Sequence, residues 1–131
     1  MADETLLGPW IRRFLLDYIV EERNLALNTQ RGYRDAFCQL IPFIAKQARK
    51  QIDHLAIIDV TPADVRAFLT NIETSRCCGI ATRNQRLAAF RAFAGFMGKN
   101  SPIHIAWSGL IRSIPFKKAS QASVPYLERP E

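Results

Sequence analysis

No aspartate or glutamate occurs between Ser75 and Leu127, a stretch that holds Arg76, Arg83, Arg86, Arg91, Lys99, Arg112, Lys117 and Lys118. The first 74 residues, by contrast, set nine basic side chains against ten acidic ones. The net charge of +6 therefore sits almost wholly in the second half of the chain. A concentrated excess of that sign favours an acidic partner, without by itself choosing nucleic acid over an anionic membrane surface. Long hydrophobic runs are also missing. None approaches the roughly 18 residues of a membrane span, and no N-terminal stretch reads as a signal peptide. Cysteine is scarce, with only Cys38, Cys77 and Cys78. An odd count without a signal peptide points to a reducing cytoplasm. The adjacent pair Cys77-Cys78 lacks the two-residue gap of a zinc knuckle, and His54 and His104 stand at no ligand spacing from it. No metal and no cofactor is expected. Cys38, inside an apolar helical pattern, reads as a small core residue.

What is present suits one globular domain. The chain has 131 residues, 48% of them hydrophobic and 10% aromatic, enough to bury a core. Its apolar residues recur at helical rather than strand spacing, so an all-α fold is expected: a compact bundle of four main helices and a short fifth. The first helix is predicted from about Leu7 to Glu22, with Trp10, Phe14, Leu15, Tyr18 and Ile19 as its buried stripe. Asn24 is its expected stop, because asparagine tolerates left-handed geometry. Asn28 is the expected N-cap of a second helix, Thr29 to about Arg49, which buries Tyr33, Phe37, Leu40, Ile41 and Ile44. Pro42 within it predicts a kink or a break.

Thr61-Pro62-Ala63-Asp64 is the clearest helix start: a capping threonine, a proline in the first turn and an acid at the third position. Val65, Phe68, Leu69 and Ile72 make the inner stripe of that third helix. The fourth follows Gly79 and ends at Gly98-Lys99-Asn100, with Leu87, Phe90, Ala94 and Met97 at helical spacing. Pro102 opens a short fifth helix whose candidates for burial are Ile105, Trp107, Leu110 and Ile111. The domain is placed at residues 1–116. Residues 117–131 read as a basic, small-residue linker and the opening of a further domain.

The starts of the second and fourth helices resemble one another. Arg31 and Arg34 stand at the beginning of one, Arg83 and Arg86 at the beginning of the other, and both pairs are read as leaving the apolar stripe. Exposed arginine and lysine displace condensed counterions from DNA. Arginine can take guanine bidentately, and Asn84 or Gln85 can do the same for adenine. Arg91 stands at helical spacing from Leu87 and reads as the holder of an internal ion pair. Two other classes stay open on these residues: a helical protein-interaction module with a basic face, and a small DNA-binding regulator. The second would need two helices joined by a turn of about three or four residues, and the gaps here are mostly longer.

Phe14-Leu-Leu-Asp-Tyr-Ile-Val-Glu-Glu-Arg-Asn-Leu-Ala-Leu-Asn-Thr-Gln-Arg-Gly-Tyr-Arg-Asp-Ala-Phe resembles the opening of the core-binding, SAM-like domain of tyrosine recombinases, the phage integrase family. Thr61-Pro-Ala-Asp-Val-Arg-Ala-Phe-Leu is similar to its third helix, and Ala81-Thr-Arg-Asn-Gln-Arg-Leu-Ala-Ala-Phe-Arg-Ala-Phe to its fourth. Pro125-Tyr-Leu-Glu-Arg-Pro-Glu resembles the segment where the family's catalytic domain begins. The resemblance implies a domain that forms half of a clamp on duplex DNA, with the starts of the second and fourth helices in the major groove. Carried over, it puts Thr29, Arg31, Gly32 and Arg34 at the DNA, together with Ala81, Thr82, Arg83, Gln85 and Arg86. Gly32 can act there only by backbone approach. Lys117 and Lys118 would pass along the backbone on the linker.

The family's nucleophilic tyrosine, arginines, lysine and histidines belong to a following domain, so no catalytic residue is expected in this chain, which by itself should neither cleave nor join DNA. The implied partners are duplex DNA and, in a longer protein, other recombinase protomers, with the isolated domain monomeric. The implied setting is the nucleoid of a bacterial cell, in a protein encoded by the host, a phage or a mobile element.

Overall fold

A computed structural model describes residues 5–75 and 79–118, and within them the fold is all-helical. Cys77, Cys78 and the expected second-domain opening around Pro125-Tyr126 lie outside the described residues, as does most of the expected linker. The first helix begins as α1 (Leu7–Arg13) and runs directly into a π-helical segment, Phe14–Glu22. Then come α2 (Leu27–Ala48), α3 (Pro62–Ser75), α4 (Ile80–Asn100) and α5 (Ile105–Arg112). Short 3-10 turns at Ile52–His54, Ile57–Asp59 and Pro102–His104 make the corners.

The π segment explains where the first apolar stripe departs from expectation. A π-helix bonds each amide to the carbonyl five residues back and so winds wider than an α-helix. Its two fully buried side chains, Phe14 and Ile19, are five residues apart, whereas Leu15 and Tyr18 are only half-buried. Asn24, at φ 47°, ends the segment in left-handed geometry as expected. Asn28 is not a cap. Helix α2 starts two residues earlier, at Leu27 after Ala26, and without a side-chain cap. Pro42 does not divide α2, and its ring sits on the exposed side. Cys38 is likewise exposed rather than buried, because the neighbouring Ala36 and Phe37 take the inward positions.

At α3 the Thr61 hydroxyl accepts the Asp64 amide at 3.0 Å, closing the first turn. In α4 the whole expected stripe is buried, and Ala89, Phe93 and Phe96 widen it. Phe14 lies at the centre of the ring packing, within 6.1 Å of Tyr18, Tyr33, Phe37, Phe93 and Phe96 by ring centroid. Helix α5 is fixed to the opposite wall by Trp107, whose indole donates to the Val60 carbonyl at 2.8 Å. Of its four candidates, Trp107 and Ile111 are buried, while Ile105 and Leu110 are more than half exposed. His104, Ser108 and Ile114 take up the inner face instead. The loop before α3 is tied to the N-terminus: Leu7 donates to Leu55 O and Ile57 to Thr5 O, each at 2.8 Å.

Candidate nucleic-acid interface

Helices α2 and α4 meet through the core. Phe37 of α2 touches Phe90 and Phe93 of α4, each at 5.4 Å between centroids. At 1.5 Å of rise per residue, Arg31 lies about 9 Å and Arg83 about 10 Å from that crossing along their own helices. Phe14 joins Tyr33 to Phe96 on one side of the crossing, and Phe68 joins Phe43 to Phe90 on the other. The helices therefore pass with opposed senses, and their starts stand on opposite sides of the crossing, up to roughly 20 Å apart along the axes.

On α2, Thr29, Arg31 and Arg34 are exposed and Gly32 is half-buried. Arg31 and Arg34, three residues apart, share a face. Arg34 borders a shallow groove with Arg12, Leu15, Leu16, Val20 and Gln30. On α4, Ala81 and Gln85 are exposed, while Thr82, Arg83 and Arg86 are half-buried. The two arginines do not leave the apolar stripe. Arg83 precedes Leu87 by four residues and Arg86 precedes Phe90 by four, so both extend the stripe past the end of the core. Their Nε atoms are buried and have no hydrogen-bond acceptor among the described residues. The helix opens at Gly79 with no side-chain cap, and the Arg83 amide is the first to reach back, to Gly79 O at 3.1 Å. The amides of the preceding turn have no helical partner by geometry, and they carry the positive end of the helix dipole.

Several of the remaining groups are already engaged. Lys117 and Lys118 are exposed, but the Lys117 ammonium lies 3.0 Å from Glu73, which spends part of its charge. Asn84 is not free to read adenine. Its amide nitrogen donates to Lys117 O at 2.7 Å, and its amide oxygen accepts the Lys117 N–H at 2.9 Å. Among the described residues Arg91 holds no ion pair: it donates to Ile114 O at 3.2 Å and its guanidinium stacks 4.7 Å from the Phe116 ring. Sequence reasoning missed Glu73 and the anchoring work of Asn84. The one available signal was that Asn84 and Arg91, seven residues apart, share a helical face.

A second basic feature lies toward the far end of α4. A cleft of about 590 Å³ is bounded by Arg23, Lys99 and Arg112 around Tyr18, Phe96 and Ile105. Arg23 donates to the Tyr18 hydroxyl at 3.4 Å, which helps hold the guanidinium above its ordinary pKa. Among the described residues no group of three His, Cys, Asp or Glu is placed to hold a metal ion. No described helix is long and apolar enough to cross a membrane.

Residues 11–99 match the family described as phage integrase, N-terminal SAM-like domain. Over all 131 residues the chain is 29% identical to a Sinorhizobium fredii protein named "Putative integrase/recombinase y4rC" and spans 40% of it. It is 31% identical over the same length to that organism's "Putative integrase/recombinase y4rD", spanning 47%. The chain thus covers less than half the length of these relatives. No solved structure is a significant match. With its helical fold and a match across most of the chain, the protein belongs to the phage integrase N-terminal SAM-like domain family.

Proposed function

We propose that this domain binds duplex DNA as the N-terminal half of the clamp of a site-specific tyrosine recombinase. The starts of α2 and α4 supply the contacts: Thr29, Arg31, Arg34 and the Gly32 backbone from one, Ala81, Thr82, Arg83, Gln85 and Arg86 from the other. Lys118 adds a charge on the following segment, and Lys117 contributes where phosphate displaces Glu73. The observation that carries this reading is the opening of α4. An uncapped first turn, a stretch without acids, and two arginines with unaccepted Nε–H donors coincide there. A buried donor without an acceptor is costly, and turning either guanidinium outward onto a phosphate relieves that cost while the helix dipole favours the same anion. Cleavage and rejoining belong to the part of the longer protein that this chain does not span. There the domain works beside other recombinase protomers, while alone it is a monomer.

The test is a fluorescence-anisotropy titration of Arg83→Ala/Arg86→Ala against the wild type on duplex DNA at several salt concentrations. The variant should bind more weakly. The slope of log affinity against log salt should shrink by up to about two, because each phosphate left unneutralised removes about 0.9. Unchanged affinity and slope would overturn the reading. A second reading, docking of an acidic protein, is favoured by the cleft at Arg23, Lys99 and Arg112. It predicts that a triple alanine variant of those residues loses partner binding and keeps DNA affinity.

A further inference from the structure

After α5 the chain does not leave the domain but turns back along α4 toward that helix's start. Four groups of α4 and α3 meet the returning strap in order. Arg91 bonds Ile114 O and stacks on Phe116, the Arg83 Nη1 group donates to Pro115 O at 3.4 Å, Asn84 takes Lys117, and Glu73 pairs with the Lys117 ammonium. Asn84 differs from the rest because it satisfies both the N–H and the C=O of one residue, as a neighbouring strand would. Two bonds of opposite sense on one residue fix its orientation as well as its position.

We propose that Asn84 is a positioning residue whose work is to latch Lys117 to the first turns of α4, so that Lys118 is delivered already ordered to the DNA-facing end of that helix. The purpose of the latch rests on the DNA-binding reading, while the latch itself does not. A lysine on a free chain loses backbone and side-chain freedom when it meets a phosphate, and a strap ordered beforehand removes most of that loss from the binding step. In the free domain the Arg83 guanidinium supports the same arrangement, since it also donates to Asn84 Oδ1 at 2.9 Å. That brace is given up where Arg83 turns to phosphate, while the two Asn84–Lys117 bonds do not depend on it. An amide committed to Lys117 cannot also offer its donor and acceptor to an adenine edge.

The experiment compares the full chain with Asn84→Ala, first by amide hydrogen exchange without DNA and then by anisotropy titration on a random-sequence duplex across salt. Alanine is the strongest helix former, so α4 is retained. The Lys117 amide should exchange at least about tenfold faster in the variant, as expected for the loss of the two bonds that hold it. Affinity should fall severalfold, with the salt slope smaller by up to about one for the single phosphate that Lys118 meets. A Lys117 amide that already exchanges freely in the wild type, or exchanges identically in both, overturns the latch. Faster exchange with unchanged affinity and salt slope overturns its positioning role. Unchanged exchange with affinity lost only on particular duplex sequences would make Asn84 a base-reading residue instead. Failure of the wild type itself to bind any duplex would sink the DNA reading and, with it, the purpose assigned to the latch, whereas the exchange arm judges the latch alone.

Discussion

Phe90 shows how much one side chain carries in this domain. It is 2% exposed and touches rings on two other helices, Phe37 at 5.4 Å and Phe68 at 5.8 Å. Phe90→Ala is expected to cost about 3–5 kcal/mol, a large share of the 5–15 kcal/mol typical of a domain. Chemical denaturation should show it as a lower midpoint with little change in slope. The residue scale is also where sequence and structure differ most. Cys38 reads as a core residue because it sits in an apolar run, but the run winds, and Ala36 and Phe37 take the inward directions. Arg83 and Arg86 read as a separate face because they are charged. Their spacing to Leu87 and Phe90 puts them on the apolar line, where their stems can cover the end of the core while the guanidinium groups reach its rim.

At the scale of elements, the join between α4 and α5 depends on one close approach. A methyl group on Gly98 would meet Ser108 Oγ at 2.8 Å and its Cβ at 3.2 Å. Ser108 is buried and cannot yield freely, since its hydroxyl donates to Ala94 O at 2.6 Å. Gly98→Ala should therefore destabilise the domain by about 1–3 kcal/mol despite the gain in helix propensity, through overpacking and strain on that bond. Adding Ser108→Ala should recover part of the loss, and thermal melts of the two single variants and the double variant would show it. The helix ends at Asn100, as the run Gly98-Lys99-Asn100 predicts, but Gly98 also serves packing. Chain order alone carries no information about which helix will cross at that position.

At the scale of the whole molecule, acid should loosen the corner between α2 and α3. Partial burial disfavours the charged Asp59 carboxylate, but the Ala56 amide at 2.8 Å and the Lys50 ammonium at 2.9 Å outweigh it, holding the pKa below the ordinary aspartate value. An unfolded aspartate titrates near 3.9. The stabilisation is thus fully present above about pH 4 and is lost as pH falls through the lower folded value. Asp59→Asn should be less stable than the wild type at neutral pH, with the gap closing below about pH 4 in a series of melts. The helical class, the number of main helices, the Thr61 start of α3 and the buried stripe of α4 were all determined by the sequence itself. Each depends on periodicity and capping within a few residues, which neighbours along the chain decide. Only the tertiary structure decided that the π segment turns Leu15 and Tyr18 half outward, that α2 and α4 pass at Phe37 with their starts on opposite sides, and that Asn84 meets Lys117 across 33 residues of chain. Those outcomes depend on which surfaces meet, and packing between distant segments is set by the summed fit of the whole core rather than by any local spacing.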